Sequence, residues 1–97
     1  MARLDEGQIE KALEQLPGWT VRDGGISKSF EFSSYADGVL FTSACAQLAE
    51  QRDHHPDMLL TWRKVCISLS THSEGGITEK DVDMATRIEA IAAREYS

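Results

Sequence analysis

The chain has 97 residues, a net charge of −6, 41% hydrophobic residues and 27% charged residues, which predicts a single domain, residues 1–97, with a thin core. The acidic balance excludes a general nucleic-acid binder, which needs a basic face for phosphates, and an anionic lipid surface would repel it. No stretch approaches the roughly 18 apolar residues of a membrane span, and the acidic start, Met1 to Glu6, reads as no signal peptide.

Asp5 is a helix cap with Gln8 at the capping-box position, and Leu4 and Ile9 are placed as the hydrophobic staple. Ile9, Ala12, Leu13 and Leu16 continue one apolar stripe, which Pro17-Gly18 ends. Trp19 to Arg22 and Ile26 to Phe32 read as strands joined by a hairpin at Asp23-Gly24-Gly25, because glycine supplies positive φ. Ser33 and Ser34 offer caps for a helix from about Tyr35 to Asp53, with Phe41, Ala44, Cys45 and Leu48 as its inner stripe. His55-Pro56 ends it, since the residue before proline is biased out of the α region.

Met58 to Trp62 is the third predicted strand, and Val65 to His72 the fourth. The fourth alternates, with Val65, Ile67, Leu69 and Thr71 on one face and Cys66, Ser68, Ser70 and His72 on the other. One apolar and one polar face predict a sheet covered on one side only. Thr78 caps a last helix, with Asp81 at the capping-box position, Ile77 and Val82 as staple, and Met84, Ala85, Ile88, Ile91 and Ala92 on its buried face. The order α-β-β-α-β-β-α predicts an α+β fold, a four-stranded antiparallel sheet with helices packed on one face. Cys45 and Cys66 sit in apolar stretches outside any CxxC pair, as buried free thiols of a reducing, cytoplasmic compartment would.

The three histidines all fall at element ends. His54 and His55 close the second helix beside Asp53 and Glu50, and His72 closes the polar face of the last strand. Imidazole is the side chain best suited to exchange protons near neutral pH, so this set suits acid–base chemistry. Taken alone it also fits a surface cap or turn, where histidine interacts favourably with the helix dipole, and three histidines can hold zinc.

The segment Ala49-Glu50-Gln51-Arg52-Asp53-His54-His55-Pro56 resembles the signature of the pterin-4a-carbinolamine dehydratase family. Trp62, Ser70-Thr71-His72 and Gly76-Ile77-Thr78-Glu79-Lys80-Asp81 continue the pattern, and Gly18-Trp19 and Phe30-Glu31-Phe32 are similar to it as well. The likeness runs from about Leu4 to Ala92. It implies a hydro-lyase that expels water from a 4a-hydroxytetrahydropterin, the form in which aromatic amino acid hydroxylases leave their cofactor, with no metal and no organic cofactor. It further implies that His54 and His72 exchange the protons and that His55 mainly holds the substrate. Backbone groups of Asp53 to His55 and of Ser70, Thr71, His72 and Ser73 would meet the pterin edges.

Glu50, Asp81 and Trp19 are candidate supports, each with a structural alternative: a solvated helix charge, a helix cap, and rim or core packing. Trp62 reads as packing despite its place in the signature. Family members pair subunits through sheets and through helices, which implies a homodimer or homotetramer. Other members act as dimerisation cofactors or assembly chaperones, the alternative class of function; the complete histidine set favours catalysis.

Overall fold

A computed structural model describes residues 2–95 of the chain. In chain order the elements are α1 (Glu6–Leu13), β1 (Thr20–Arg22), β2 (Gly25–Glu31), α2 (Tyr35–Arg52), β3 (Asp57–Thr61), β4 (Lys64–Leu69), a single 3₁₀ turn (His72–Glu74) and α3 (Glu79–Glu95). The strands form one antiparallel sheet in the order β1-β2-β4-β3. This is the expected α+β architecture and element order.

The predicted caps form where the sequence places them. Asp5 accepts from the Gln8 N–H while Gln8 returns a bond to the Asp5 N–H, and Ser34 accepts from the Asp37 N–H. α1 stops at Leu13, short of Pro17-Gly18, because its last turn tightens: the N–H groups of Gln15 and Leu16 bond three residues back, to Ala12 and Leu13. Leu16 thus reaches the core from a turn rather than from the helix stripe. The β1–β2 hairpin is a two-residue turn of Asp23 (φ 50°) and Gly24 (φ 78°), the double positive φ of a type I′ connection. Gly25 opens β2, where a Cβ would stand 2.3 Å from the Leu69 carbonyl oxygen, so only glycine lets β2 approach the end of β4.

The sheet is apolar on one face. Ile26, Phe30, Val65, Ile67 and Leu69 are buried against α2 and α3, with Phe41 at the centre and its ring 5.0 Å from those of Phe30 and Phe32. Cys66, Ser68 and Ser70 alternate to the other face and stay partly exposed. β4 ends at Leu69, three residues before its predicted end, because its ladder with β2 ends at Ile26↔Leu69. Thr71 then pairs with Gly76, closing a small loop over the His72–Glu74 turn.

Two sequence expectations are corrected. Cys45 is buried, but Cys66 is half-exposed on the bare face of the sheet. Trp62 lies beyond β3 in the β3–β4 turn and is 73% exposed, stacking on its neighbour Arg63 rather than packing into the core. Trp19, by contrast, is core: it packs edge-on against Phe30 and donates its indole N–H to Glu89 of α3. No helix among the described residues is long and apolar enough to cross a membrane.

Candidate active site

The bare face of the sheet carries a cleft of about 390 Å3, within the size range of small-molecule sites. It opens at the end of the sheet where β4 stops. Ser27, Cys66 and Ser68 line it from the central strands, with the Ser27 and Ser68 hydroxyls hydrogen-bonded at 3.0 Å. Arg22 and Asp23 border it from the β1–β2 turn, and Asp57, Met58 and Leu59 from β3. Two imidazoles complete the lining: His55 from the α2–β3 connection, and His72 with Ser70 from the loop after β4.

The left-handed backbone of Asp53 (φ 50°) ends α2 just before the paired histidines. Asp53 N–H and His54 N–H both reach back to the Ala49 carbonyl, the bonding of a Schellman-type stop. His54 then turns inward and His55 outward. The His54 side chain is 12% exposed, and its Nε2 lies 2.7 Å from Oδ1 of Asp81, which is fully buried at the start of α3. The His55 Nε2 meets Glu50 at 2.5 Å on the surface.

Asp81 is the helix cap its sequence position offered, and it also meets His54. Its Oδ2 accepts from the Thr78 N–H at 2.9 Å, which is the capping-box bond, and also from the Thr71 hydroxyl at 2.9 Å. Its other oxygen holds His54. Among the described side chains, no buried polar atom lacks a partner.

Of the residues singled out in the sequence, His55, Ser70 and His72 meet in the cleft. Glu50 and Asp81 each hold a histidine. Thr71 is buried in the Asp81 network rather than open to the cleft, and Asp53, His54 and Ser73 are absent from the cleft lining. Trp19 sits on the helix side of the sheet, bonded to Glu89, and does not reach the cleft. Sequence reasoning missed Arg22, Asp23 and Asp57. The signal for the first two was present, since a type I′ turn fixes which residues crown the hairpin.

Burial acts on one ionisable group decisively: desolvation pushes the Cys45 thiol up to about 12 from its ordinary 9.0. Among the described residues, no group of His, Cys, Asp and Glu side chains gathers with the spacing of a metal site.

A four-stranded antiparallel sheet backed by helices on one face and carrying a cleft with two imidazoles on the other defines a class of small α+β proteins. The sequence profile described as "Pterin 4 alpha carbinolamine dehydratase" matches residues 2–91. The chain belongs to that family of hydro-lyases. A protein of Mycobacterium avium named "Putative pterin-4-alpha-carbinolamine dehydratase" is 48% identical over 91 residues, covering 94% of this chain and 97% of its own. The crystal structure of a Brucella melitensis protein titled "transcriptional coactivator/pterin dehydratase" superposes with a TM-score of 0.89 at 39% identity, covering 93% of this chain and 98% of that one. A pterin dehydratase-like protein described as a RuBisCO assembly factor in the alpha-carboxysome superposes with a TM-score of 0.64 at 28% identity, covering 76% and 86%.

Proposed function

We propose that this chain removes water from 4a-hydroxytetrahydrobiopterin to give quinonoid dihydrobiopterin, returning to use the pterin cofactor of an aromatic amino acid hydroxylase. The observation that carries the reading is that His55 and His72 line one cleft, while His54, the residue before His55, is held by a buried carboxylate. The bond from carbon 4a to the hydroxyl oxygen breaks as a proton is delivered to that oxygen. The electron pair for the new double bond comes from nitrogen 5, whose proton leaves to a base. Water and the quinonoid product account for every atom. One acid and one base in position are worth about 10²–10⁴-fold for such transfers.

His54 and His72 form the proton-transfer pair of this proposal. A carboxylate on one nitrogen of His54 orients the ring, and His72 lines the cleft directly. His55 holds the substrate, with its own ring steadied by Glu50. The hydroxyls of Ser27, Ser68 and Ser70, with Arg22, Asp23 and Asp57 around the rim, offer partners to the amide and amine edges of the pterin. Neither metal nor organic cofactor enters this chemistry. The working form is a single domain over residues 1–97, in the cytoplasm, assembled as a homodimer or homotetramer.

The test is dehydration of 4a-hydroxytetrahydrobiopterin formed in place by a phenylalanine hydroxylase. The proposal expects loss of the carbinolamine well above its spontaneous rate, unchanged by EDTA. A spontaneous rate in the presence of micromolar protein removes the proposal, and loss on chelation restored by zinc replaces it with a metal mechanism.

A second reading, an interaction protein on the same scaffold, is favoured by one observation. From Gly38 to Ala49 helix α2 carries no charge, and it exposes Val39 (41%) and Leu40 (56%). The likeness to the assembly factor gives that reading a precedent. An inactive protein that still self-associates through α2 would favour it.

A further inference from the structure

The hydrogen atoms around Asp81 can be counted. The hydroxyls of Thr71 and Thr78 lie 2.7 Å apart and are both buried. Each carries one hydrogen. The Thr71 hydroxyl faces Asp81 Oδ2 at 2.9 Å, and an ionised carboxylate only accepts, so the Thr71 hydrogen belongs to that contact. The hydrogen between the two threonines is therefore that of Thr78. Thr78 Oγ1 in turn accepts from the Lys80 N–H at 3.2 Å. The chain runs in one direction: Lys80 N–H to Thr78, Thr78 to Thr71, Thr71 to Asp81.

Reversing it would leave two bare oxygens, Thr71 Oγ1 and Asp81 Oδ2, facing each other at 2.9 Å in a buried site. Oδ2 also receives the Thr78 N–H, so that oxygen is taken by two donors. The remaining contact, Oδ1 to His54 Nε2 at 2.7 Å, needs its hydrogen on nitrogen.

We infer that the Thr71–Thr78 hydroxyl pair, acting through Asp81, fixes the tautomer of His54 with Nε2 protonated and leaves Nδ1 as its proton-exchanging nitrogen. Thr71 also immediately precedes His72, so one buried network holds both members of the proposed acid–base pair. Thr71 and Thr78 are positioning residues, since neither lines the cleft. The tautomer rests on this geometry with Asp81 as the acceptor; only its kinetic consequence rests on the dehydratase reading.

The test is nitrogen-15 NMR of the histidine-labelled full chain near pH 8, with His54 assigned by comparison against His55→Gln and His72→Gln. The neutral ring should carry its hydrogen on Nε2 in preference to Nδ1 by more than about tenfold, the worth of one charge-assisted hydrogen bond. Thr71→Val should lower that preference several-fold and reduce kcat about tenfold, and Thr71→Ser should restore both. If Thr71→Val does not fold, Thr71→Val with Thr78→Val removes both hydroxyls together and gives the same readouts. A wild-type His54 with its hydrogen on Nδ1 overturns the inference, as does a folded valine variant with an unchanged tautomer ratio. The Nε2–H tautomer in a protein without dehydratase activity would support the inference while removing the reaction proposed above.

Discussion

Replacing Asp81 separates its structural part from its part in the site. Asp81→Ala removes the acceptor of three donors: the Thr78 N–H, the Thr71 hydroxyl and the His54 Nε2–H. A buried donor left without a partner costs about 1–3 kcal/mol, and His54 can regain some hydration, so the total comes to about 3–5 kcal/mol. In a domain of this size that lowers Tm by roughly 15–30 °C. Asp81→Asn keeps the shape and one carbonyl oxygen. That oxygen can serve Thr78 and Thr71, which turns the amide nitrogen toward His54. The amide donates where the carboxylate accepted, so the His54 hydrogen moves to Nδ1.

The asparagine variant should lose no more than about 1.5 kcal/mol, because most of the donors keep partners. Its kcat should nevertheless fall by about 10²–10⁴, the scale of a lost proton-transfer group, since the ring now presents the wrong nitrogen. Urea unfolding and dehydration kinetics on the two variants check this directly. A stable asparagine variant with full turnover would refute the reasoning, and so would an alanine variant as stable as wild type.

Other expectations rest on single observations. His55→Ala should raise KM more than it lowers kcat, measured in the same steady-state assay, because His55 is assigned to holding the substrate. One thiol of the folded protein should react with a disulfide reagent at pH 8 and a second only in denaturant, since Cys66 lines the cleft while Cys45 is buried and held in its protonated form. The Cys45 shift is upward in the folded state, so its contribution to stability is complete below pH 9 and declines as pH rises from there toward about 12; urea unfolding in that range reads it. Light scattering at micromolar concentration should give a multiple of 10.8 kDa, because the thin core, open sheet edges and uncharged outer face of α2 call for a partner copy; a mass of one chain would refute that assembly.

Much of the fold was legible because its signals are local. The box of Asp5 and Gln8, the serine before α2 and the alternation of β4 each state their geometry within a few residues. The ends of elements were less legible. β4 stops when β2 runs out of residues to pair with it, and no property of Ser70 or Thr71 announces that. Trp62 is exposed because a two-residue turn places it beyond the sheet, whatever its affinity for a core.

At the site, the sequence named the histidines but not their division. That division depends on their separate partners, Asp81 for His54 and Glu50 for His55. Asp81 was visible as a cap, and its second role waited on the contact across the fold with His54. The polar face of β4 marked the uncovered side of the sheet in the sequence, and the structure puts the cleft there. Arg22, Asp23 and Asp57 join it only once hairpin and sheet order bring three strand ends together.

The central claim is that histidines move the protons, and the most direct measurement of it is the turnover of the His54→Ala, His72→Ala double variant. Circular dichroism and urea unfolding first establish that the variant is folded. Dehydration is then followed with 4a-hydroxytetrahydrobiopterin generated in place. The account predicts that each single substitution lowers kcat at least about tenfold and that the double variant approaches the spontaneous rate. Near wild-type turnover in a folded double variant would contradict it.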